Sequence, residues 1–266
     1  MDPVNLTDTE FHQFSNLVME LSGISLTDSK KALVCGRLAK RLREYNLDSY
    51  GAYFKLLTDP SGREELQIAL DLLTTNETYF FREPAHFDYI KKEVLLHISP
   101  GTYRVWSAAC SSGEEPYTLA MVLSESLGSR SWEIIASDLS SRMLARARTG
   151  LYTLERKRHI PQGYFERYCE PVANGSGEFT MEKRLRRRVH FSQINLISPY
   201  PDIGEFDLIF LRNVMIYFEL ETKKQVVMKM LSHLKKGGYF VIGHSENLHG
   251  IGEGLENIKP SIFRKI

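Results

Sequence analysis

The sequence has few cysteines, almost no net charge and no long apolar run. It holds three cysteines in 266 residues, and 34 Lys and Arg against 33 Asp and Glu leave a net charge of +1. Few, widely spaced cysteines argue against a disulfide framework and favour a reducing compartment. No apolar run approaches the roughly 20 residues of a membrane-spanning helix, and the polar, acidic N-terminus is unlike a signal peptide. These absences predict a cytoplasmic protein that does not insert into a membrane.

Two common ligand signatures are also missing. No G-x-G-x-x-G motif is present, although that loop is the usual way to set backbone N–H groups against the pyrophosphate of a dinucleotide. The eight histidines show no H-E-x-x-H spacing, so we predict no metal site. The balanced charge gives no overall attraction to nucleic acid, and any steering of a charged partner must be local.

The spacing of apolar residues divides the chain into a helical first part and an α/β second part. Before about residue 85, apolar residues recur at helical spacing, and Thr7 with Glu10 forms a capping box. From Tyr103 onward, short apolar runs of strand length alternate with helical segments, which predicts a mostly parallel sheet. We predict an all-α N-terminal domain with its linker at 1–85 and a Rossmann-like domain at 86–266, with "SIFRKI" as a last edge strand.

One segment breaks the alternation of strands and helices. The turn cluster "NGSGE" lies between two strand-like runs, and Asn-Gly beside alternating residues is typical of a hairpin. We therefore expect a small antiparallel β insertion at about residues 160–191. The basic run "EKRLRRRVH" lies in this insertion and is too short to predict nucleic-acid binding.

The stretch "VWSAACSSGEEPY", residues 105–117, has the pattern of a buried strand, a small-residue turn and a helix start. Such a turn usually forms a nucleotide cradle at the carboxyl end of its strand. Carboxylates at Glu114 and Glu115 would repel a pyrophosphate but would attract a cationic ligand. S-adenosylmethionine, with an ammonium, a sulfonium and no phosphate, has the required chemistry. The alternative is that both glutamates only complement the helix dipole.

Polar residues follow the other predicted strands as well. Asp138 ends the next strand, where an acidic residue accepts hydrogen bonds from ribose hydroxyls; the alternative is an N-cap of the following helix. Asn213 and Tyr217 follow a later strand and could project over a ligand, although a core position is the commoner fate of a tyrosine. Arg82, in the "NETYFFRE" linker, could clamp a carboxylate or form a surface salt bridge.

Taken together, these segments resemble the chemotaxis receptor methyltransferases, the CheR family. The resemblance rests on "LTTNETYFFRE", "RVWSAACSSGEEPYTLAM", "ASDLS", "INL", "FLRNVMIYF" and "GHSEN" and extends over nearly the whole chain. It implies a class I S-adenosylmethionine-dependent methyltransferase fold. It also implies methyl transfer to glutamate side chains of bacterial chemoreceptors, giving γ-glutamyl methyl esters and S-adenosylhomocysteine.

The resemblance further implies which residues form the site. The residues implied to bind the cofactor are Asn76, Thr78, Arg82, Glu115, Asp138, Asn195, Leu196, Arg212, Asn213 and Tyr217. Of these, Arg82 and Tyr217 would also face the incoming glutamate and would be the catalytic residues.

Two surfaces are candidates for receptor binding. The second helix carries Arg37, Lys40, Arg41 and Arg43, and a basic face could dock the glutamate-rich helical bundle of a receptor; the alternative is a solvated helix face. The β insertion could bind the receptor's C-terminal tail by strand addition, as in some family members. We expect the protein to act as a monomer.

Two rival functions remain open at this point. The first is an S-adenosylmethionine-dependent methyltransferase with another substrate, either RNA or a small molecule. The second is a non-catalytic adaptor that binds receptor tails and keeps a vestigial cofactor site. Retention of the whole set of predicted site residues argues against the adaptor.

Overall fold

The structure, a computed structural model, describes residues 4–173 and 175–266. It contains two compact units: a helical one, Met1–Thr75 with Tyr217–Thr222, and a larger one, Asn76–Ile216 with Lys223–Ile266. The first stretch of the helical unit ends at Thr75, and the part of the predicted linker from Asn76 onward groups with the larger unit. Among the described residues, no helix combines the length and apolar character needed to span a membrane.

Four helices form most of the helical unit. Thr7 caps the first one in the expected capping box, and Gly23 ends it in the left-handed conformation. Their apolar faces meet in a core that includes Phe14, Val34 and Tyr53. The helices are α1 (Asp8–Ser22), α2 (Lys31–Glu44), α3 (Tyr50–Thr58) and α4 (Arg63–Leu73).

A buried carboxylate lies inside this helical core. Glu65 of α4 is 3% exposed and accepts hydrogen bonds from Arg41 Nε at 2.7 Å and from the Tyr53 hydroxyl at 2.5 Å. Burial alone would raise the pKa of Glu65, but the bonds from Arg41, Tyr53 and Tyr45 outweigh that effect and the pKa is lowered. The ionised carboxylate therefore ties α2, α3 and α4 together.

The larger unit is built on a seven-stranded sheet in the order β6-β2-β1-β7-β8-β10-β9. The first five strands of that order are parallel, and β10 pairs antiparallel with both β8 and β9. The strands are β1 (Tyr103–Ala108), β2 (Trp132–Asp138), β6 (Val189–Gln193), β7 (Phe206–Leu211), β8 (Leu234–Ile242), β9 (Leu255–Lys259) and β10 (Ile262–Lys265).

The expectation for the last strand was therefore wrong in one respect. "SIFRKI" does form β10, but β10 lies inside the sheet and β9 is the edge strand. The half-exposed β9, "LENIK", lacks the apolar run of a central strand, so the sequence pattern did not predict it.

Helices and short turns complete the larger unit. The helices are α5 (Pro84–Tyr89), α6 (Glu114–Leu127), α7 (Ser141–Thr149), α8 (Gln162–Tyr168), α9 (Lys183–Arg186) and α10 (Leu220–Ser232), whose first turn belongs to the helical unit.

The expected antiparallel insertion is a second, three-stranded sheet in the order β3-β5-β4. Its strands are β3 (Leu151–Thr153), β4 (Cys169–Pro171) and β5 (Glu178–Met181). The β4–β5 pair is the predicted hairpin, and Asn174 of its turn lies outside the described residues. The third strand, β3, precedes the predicted insertion, and residues 189–191 belong to the main sheet.

We predict that Glu65→Gln lowers the free energy of unfolding of the helical unit by about 2–3 kcal/mol at pH 7, because hydrogen bonds to a buried charge are each worth about 1.5–3 kcal/mol. In the folded protein the pKa of Glu65 lies below its ordinary value of 4.5, so the ionised carboxylate contributes this stability above pH 4.5. It is lost as the pH falls through the folded pKa. Urea denaturation at pH 7 and pH 3 measures both effects.

The adjacent Glu64 is exposed on the same helix, so Glu64→Gln is the matched control and should change the midpoint little. A pH-independent difference between wild type and Glu65→Gln would contradict the assignment of the effect to the ionised carboxylate.

Candidate functional site

The site lies at the carboxyl ends of β2, β1 and β7. In the sheet, β1 is flanked by β2 on one side and β7 on the other, so the strand order reverses there. Parallel α/β sheets bind ligands at such switch points. The three strands end at Asp138, Ala108 and Leu211, which are followed by the segments that the sequence marked as functional.

Backbone strain is concentrated in these segments. Seven non-glycine residues of the described chain have positive φ, and all but Asn46 and Ser261 lie in the linker before α5 or directly after β1 and β7. Left-handed backbone is unfavourable for residues with a Cβ and typically marks functional sites. The residues concerned are Phe81, Glu83, Ala109, Ser111 and Asn213.

The cradle loop after β1 turns its backbone N–H groups toward the protein. The N–H of Cys110 donates to the Ser137 carbonyl at 2.8 Å, and the N–H of Ser111 donates to Asp138 Oδ2 at 2.7 Å. The N–H of Gly113 donates to the Cys110 carbonyl at 3.0 Å. A phosphate-binding loop directs such groups at its ligand, whereas these three N–H groups are already engaged within the protein.

Gly113 is required here by packing within the protein. Its φ is +95°, and a Cβ at this position would lie 2.9 Å from both Ala147 Cβ and the Tyr152 hydroxyl. The Tyr152 hydroxyl in turn donates to the Ser112 carbonyl at 2.8 Å. The loop therefore rests directly on α7 and on the small sheet.

Asp138 connects the cradle loop to the loop after β2. Besides the bond from Ser111, its Oδ1 accepts the N–H of Ser140 at 2.9 Å. The N-cap of α7 is Ser140, whose hydroxyl accepts from Met143. The N-cap alternative for Asp138 is thus wrong, and its nearly buried carboxylate is positioned by two backbone donors.

The two cradle glutamates point to different partners. Glu114 is fully buried and accepts from the Ser112 hydroxyl at 2.7 Å and from Arg156 at 2.8 Å. Glu115 accepts from the Ser107 hydroxyl at 2.7 Å and from Arg212 at 3.1 Å. Glu114 is therefore an internal anchor, whereas Glu115 belongs to the network around Arg212.

Burial controls the ionisation of both glutamates. It raises the pKa of Glu114, against the lowering influence of Ser112 and Arg156. It also raises the pKa of Glu115, where Arg212 and Ser107 oppose the rise. A nearby cation therefore stabilises the charged form of each carboxylate.

Arg212, directly after β7, is the centre of this network. Its side chain is 1% exposed and forms ion pairs with Glu83 at 3.0 Å and Glu115 at 3.1 Å. It also donates to the Arg82 carbonyl at 2.5 Å. The guanidinium lies 5.5 Å from the ring centre of Phe87 and has a similar contact with Phe210.

Asn213 is held by two carboxylates that sequence reasoning missed. Its side-chain amide donates to Glu83 Oε1 at 3.2 Å, and its backbone N–H donates to Glu246 Oε2 at 2.9 Å. Glu246 also accepts from the N–H of Gly243 at 2.7 Å. A Cβ on Gly243 would lie 2.6 Å from the Asn213 amide, so the glycine makes room for this arrangement.

The linker residues contact the cradle mainly through their backbone. The Asn76 carbonyl accepts from the Ser111 hydroxyl at 3.1 Å, and the Thr78 carbonyl accepts from Arg156 at 2.6 Å. Arg82 donates to the Glu77 carbonyl at 2.7 Å, and its guanidinium lies 5.6 Å from the Tyr79 ring centre. The linker is thus fixed at several points against the larger unit.

The remaining predicted cofactor residues fall in two places. Asn195 and Leu196 follow β6, where the Asn195 side chain accepts from the N–H of Ile197 at 3.2 Å and Leu196 is 8% exposed. Tyr217 groups with the helical unit, and its carbonyl accepts from the N–H of Ser25 at 2.9 Å. The other predicted cofactor residues all lie in the larger unit.

The cysteine of the cradle is not a nucleophile. Cys110 is 1% exposed, and burial raises the pKa of its thiol well above the ordinary value. Buried thiols of this kind are chemically inert.

A cluster of Glu83, His86 and His244, which the sequence did not predict, lies beside Arg212. Donor atoms of the three residues lie within 4.8 Å of one another. The only sequence signals for it were an acidic residue next to Arg82 and a histidine at a strand end. Carboxylate and imidazole groups can bind metal ions, although Arg212 already occupies the Glu83 oxygen nearest to both rings.

The predicted docking residues of α2 divide into two pairs. Arg37 donates to the carbonyls of Leu73 and Thr74 at 3.1 and 2.9 Å, and Arg41 is bound to Glu65. In contrast, Lys40 has 78% of its side chain exposed, and Arg43 is also exposed.

Comparison with known families and proteins agrees with this geometry. The family described as "CheR methyltransferase, SAM binding domain" matches residues 76–263, and "CheR methyltransferase, all-alpha domain" matches residues 9–74. Together they span most of the chain.

Three curated relatives, each named a chemotaxis protein methyltransferase, are similar to the chain. A Pseudomonas aeruginosa protein is 40% identical over 97% of this chain and 93% of its own length. An Escherichia coli protein is 38% identical over 91% and 85%, and a Borreliella burgdorferi protein is 35% identical over 98% and 96%. The chain therefore belongs to the CheR family of chemotaxis methyltransferases, with an all-α domain followed by a domain that binds S-adenosylmethionine.

Proposed function

We propose that the protein transfers a methyl group from S-adenosylmethionine to glutamate side chains of chemoreceptors, as a protein-glutamate O-methyltransferase. The observation that carries the proposal is the cradle loop, whose N–H groups of Cys110, Ser111 and Gly113 are turned inward while Asp138 and Glu115 supply carboxylates. Family membership supplies the reaction class, and the relatives' names supply the chemotaxis context.

The residues at the strand ends fit this cofactor. Asp138 would accept hydrogen bonds from the ribose hydroxyls, because two backbone donors already fix the direction of its carboxylate. Glu115 would face the ammonium of the methionine part, while Asn195 and Leu196 would border the adenine. Asn76, Thr78, Arg82, Arg212, Asn213 and Tyr217 complete the proposed set. When bound, S-adenosylmethionine supplies an electrophilic methyl group on a positively charged sulfur.

The chain itself has little proton chemistry to perform. A substrate glutamate with a pKa of about 4.3 is already ionised near neutral pH, so no general base is needed. The protein's contribution would be alignment of the carboxylate and exclusion of water. Arg82 and Tyr217 would position the carboxylate, and the Arg82 guanidinium is held by the Glu77 carbonyl and the Tyr79 ring. We expect positioning by Arg82 without close ion pairing, because a strong ion pair would weaken the carboxylate as a nucleophile.

We also propose how the receptor is bound. Lys40 and Arg43 would dock the acidic helical bundle, because Arg37 and Arg41 already stabilise the helical unit. A receptor tail peptide could add to β3 or β4, the outer strands of the small sheet. A monomer in the cytoplasm remains our expectation, and the three cysteines are all free thiols, as suits a reducing compartment.

The substrate is tested with a radiolabelled methyl donor, the purified protein and receptor cytoplasmic fragments. We expect label on glutamate that is released by mild base, as carboxyl methyl esters are. Label on RNA or on a small molecule instead would support the first rival function, and cofactor binding without any transfer would support an adaptor.

Asp138→Ala should weaken S-adenosylhomocysteine binding by about 1–3 kcal/mol, the scale of a lost charged hydrogen bond. Isothermal titration calorimetry measures the change. Glu133→Ala is the matched control, because Glu133 lies on the same strand and pairs with Arg104 at 2.6 Å, away from the carboxyl end. Equal affinity in the two variants would remove Asp138 from the cofactor site.

Charge reversal at Lys40 and Arg43 should lower the rate of receptor methylation at limiting receptor at least severalfold, since rim charges act mainly on association. Cofactor affinity and the melting temperature should stay near wild type. Lys55 and Arg63 are exposed on α3 and α4, so their reversal provides the same change in net charge. If both double variants lose the same activity, the effect is general electrostatics and α2 is not the docking surface.

A further inference from the structure

The backbone of Glu83 is in a strained conformation. Its φ is +56°, in the left-handed region, and it directly precedes Pro84 at the start of α5. Glycine or asparagine would adopt this conformation at lower cost. A glutamate at such a position points to a function for the carboxylate.

The carboxylate of Glu83 joins three separate segments. Its Oε2 accepts from Arg212 at 3.0 Å and from the backbone N–H of His244 at 3.2 Å. Its Oε1 accepts from the Asn213 amide at 3.2 Å. The linker, the loop after β7 and the loop after β8 are therefore fixed relative to one another through one side chain with 14% exposure.

Arg212 is shared almost equally between two carboxylates. It lies 3.0 Å from Glu83 and 3.1 Å from Glu115, so one positive charge faces two negative ones. The group as a whole keeps a net negative charge. If Glu83 were neutral, Arg212 would pair with Glu115 alone, and the charge that Glu115 offers to a cationic ligand would be cancelled.

The buried neighbouring histidine, His86, does not change this balance. His86 is 1% exposed, and burial, reinforced by Arg212, lowers its pKa to about 3, so it is neutral at pH 7. His244 lies with its Nε2 4.0 Å from Glu83 Oε2. A metal ion bound by these rings and Glu83 would have to displace Arg212 from the same oxygen, so the geometry favours the arginine as the partner of the carboxylate.

We propose that Glu83 is a positioning residue of the methyl-donor site: it holds Arg212 and Asn213 in place and, by sharing Arg212, leaves Glu115 able to attract the positively charged cofactor. This inference rests on the proposed function. Besides this mechanical support, Glu83 gives the group formed with Arg212 and Glu115 its net negative charge. S-adenosylmethionine carries one more positive charge than S-adenosylhomocysteine, so loss of that net charge would weaken its binding more.

The test compares two ligands that differ in one charge. S-adenosylmethionine carries a sulfonium, whereas S-adenosylhomocysteine carries a neutral thioether; both carry the ammonium. Calorimetry on the full chain should show that Glu83→Gln raises the Kd for S-adenosylmethionine about tenfold or more. The Kd for S-adenosylhomocysteine should rise by a clearly smaller factor. A purely structural role would weaken both ligands by the same factor.

Asp88 lies exposed on α5, the helix that Glu83 precedes, so Asp88→Asn is the matched control and should leave both Kd values unchanged. If Glu83→Gln does not fold, Glu83→Asn removes the same charge and introduces a residue that tolerates the left-handed backbone.

Three results are decisive. A larger loss for S-adenosylmethionine in the neutral variant supports the inference, and an equal loss for both ligands, or none, overturns it. Failure of the wild-type protein to bind either ligand would instead reject the proposed function itself, so the two failures are distinguishable.

Discussion

The arrangement of side chains at the carboxyl ends of the central strands depends on one buried cation, Arg212. Arg212 has almost no contact with solvent and is held between two carboxylates and two aromatic rings. Burying a charge is costly unless it is paired and hydrogen-bonded. Because its partners Glu83 and Glu115 come from the linker and from the first turn of α6, the loop after β7 cannot move independently of either. Loss of one carboxylate would leave Arg212 paired with the other alone, and the segment that carried the lost carboxylate would no longer be held.

The fold could be predicted well from the sequence where a regular apolar pattern extended over a whole helix or strand. The four helices of the first unit and the strands β1, β2, β7 and β8 have clear apolar patterns and defined ends. Prediction was weaker for short elements. Strand β3 has three residues, too few for a period, and β9 is half-exposed at the sheet edge, so neither stood out from a loop.

The candidate site was only partly visible in the sequence. Asp138 and Glu115 could be proposed from the sequence because Asp138 ends a strand and Glu115 lies in the first turn of a helix. Glu83 and Glu246 could not, because their roles come from partners distant in the chain: Glu83 and Arg212 are 129 residues apart. The basic face of α2 shows the same limit, since the charge pattern could not reveal that Arg41 has a buried carboxylate, Glu65, on another helix.

The helical unit is made from two stretches that lie far apart in the sequence. The segment Tyr217–Thr222 groups with the N-terminal helices although it lies far along the sequence, and it is joined to them by the Ile24–Phe218 bridge and by the Ser25–Tyr217 hydrogen bond. A genetic deletion at Thr75 would therefore strip this returning segment of its pairing partners. The helical unit is therefore formed by two separate stretches of chain, and a cut after Thr75 would not isolate it whole.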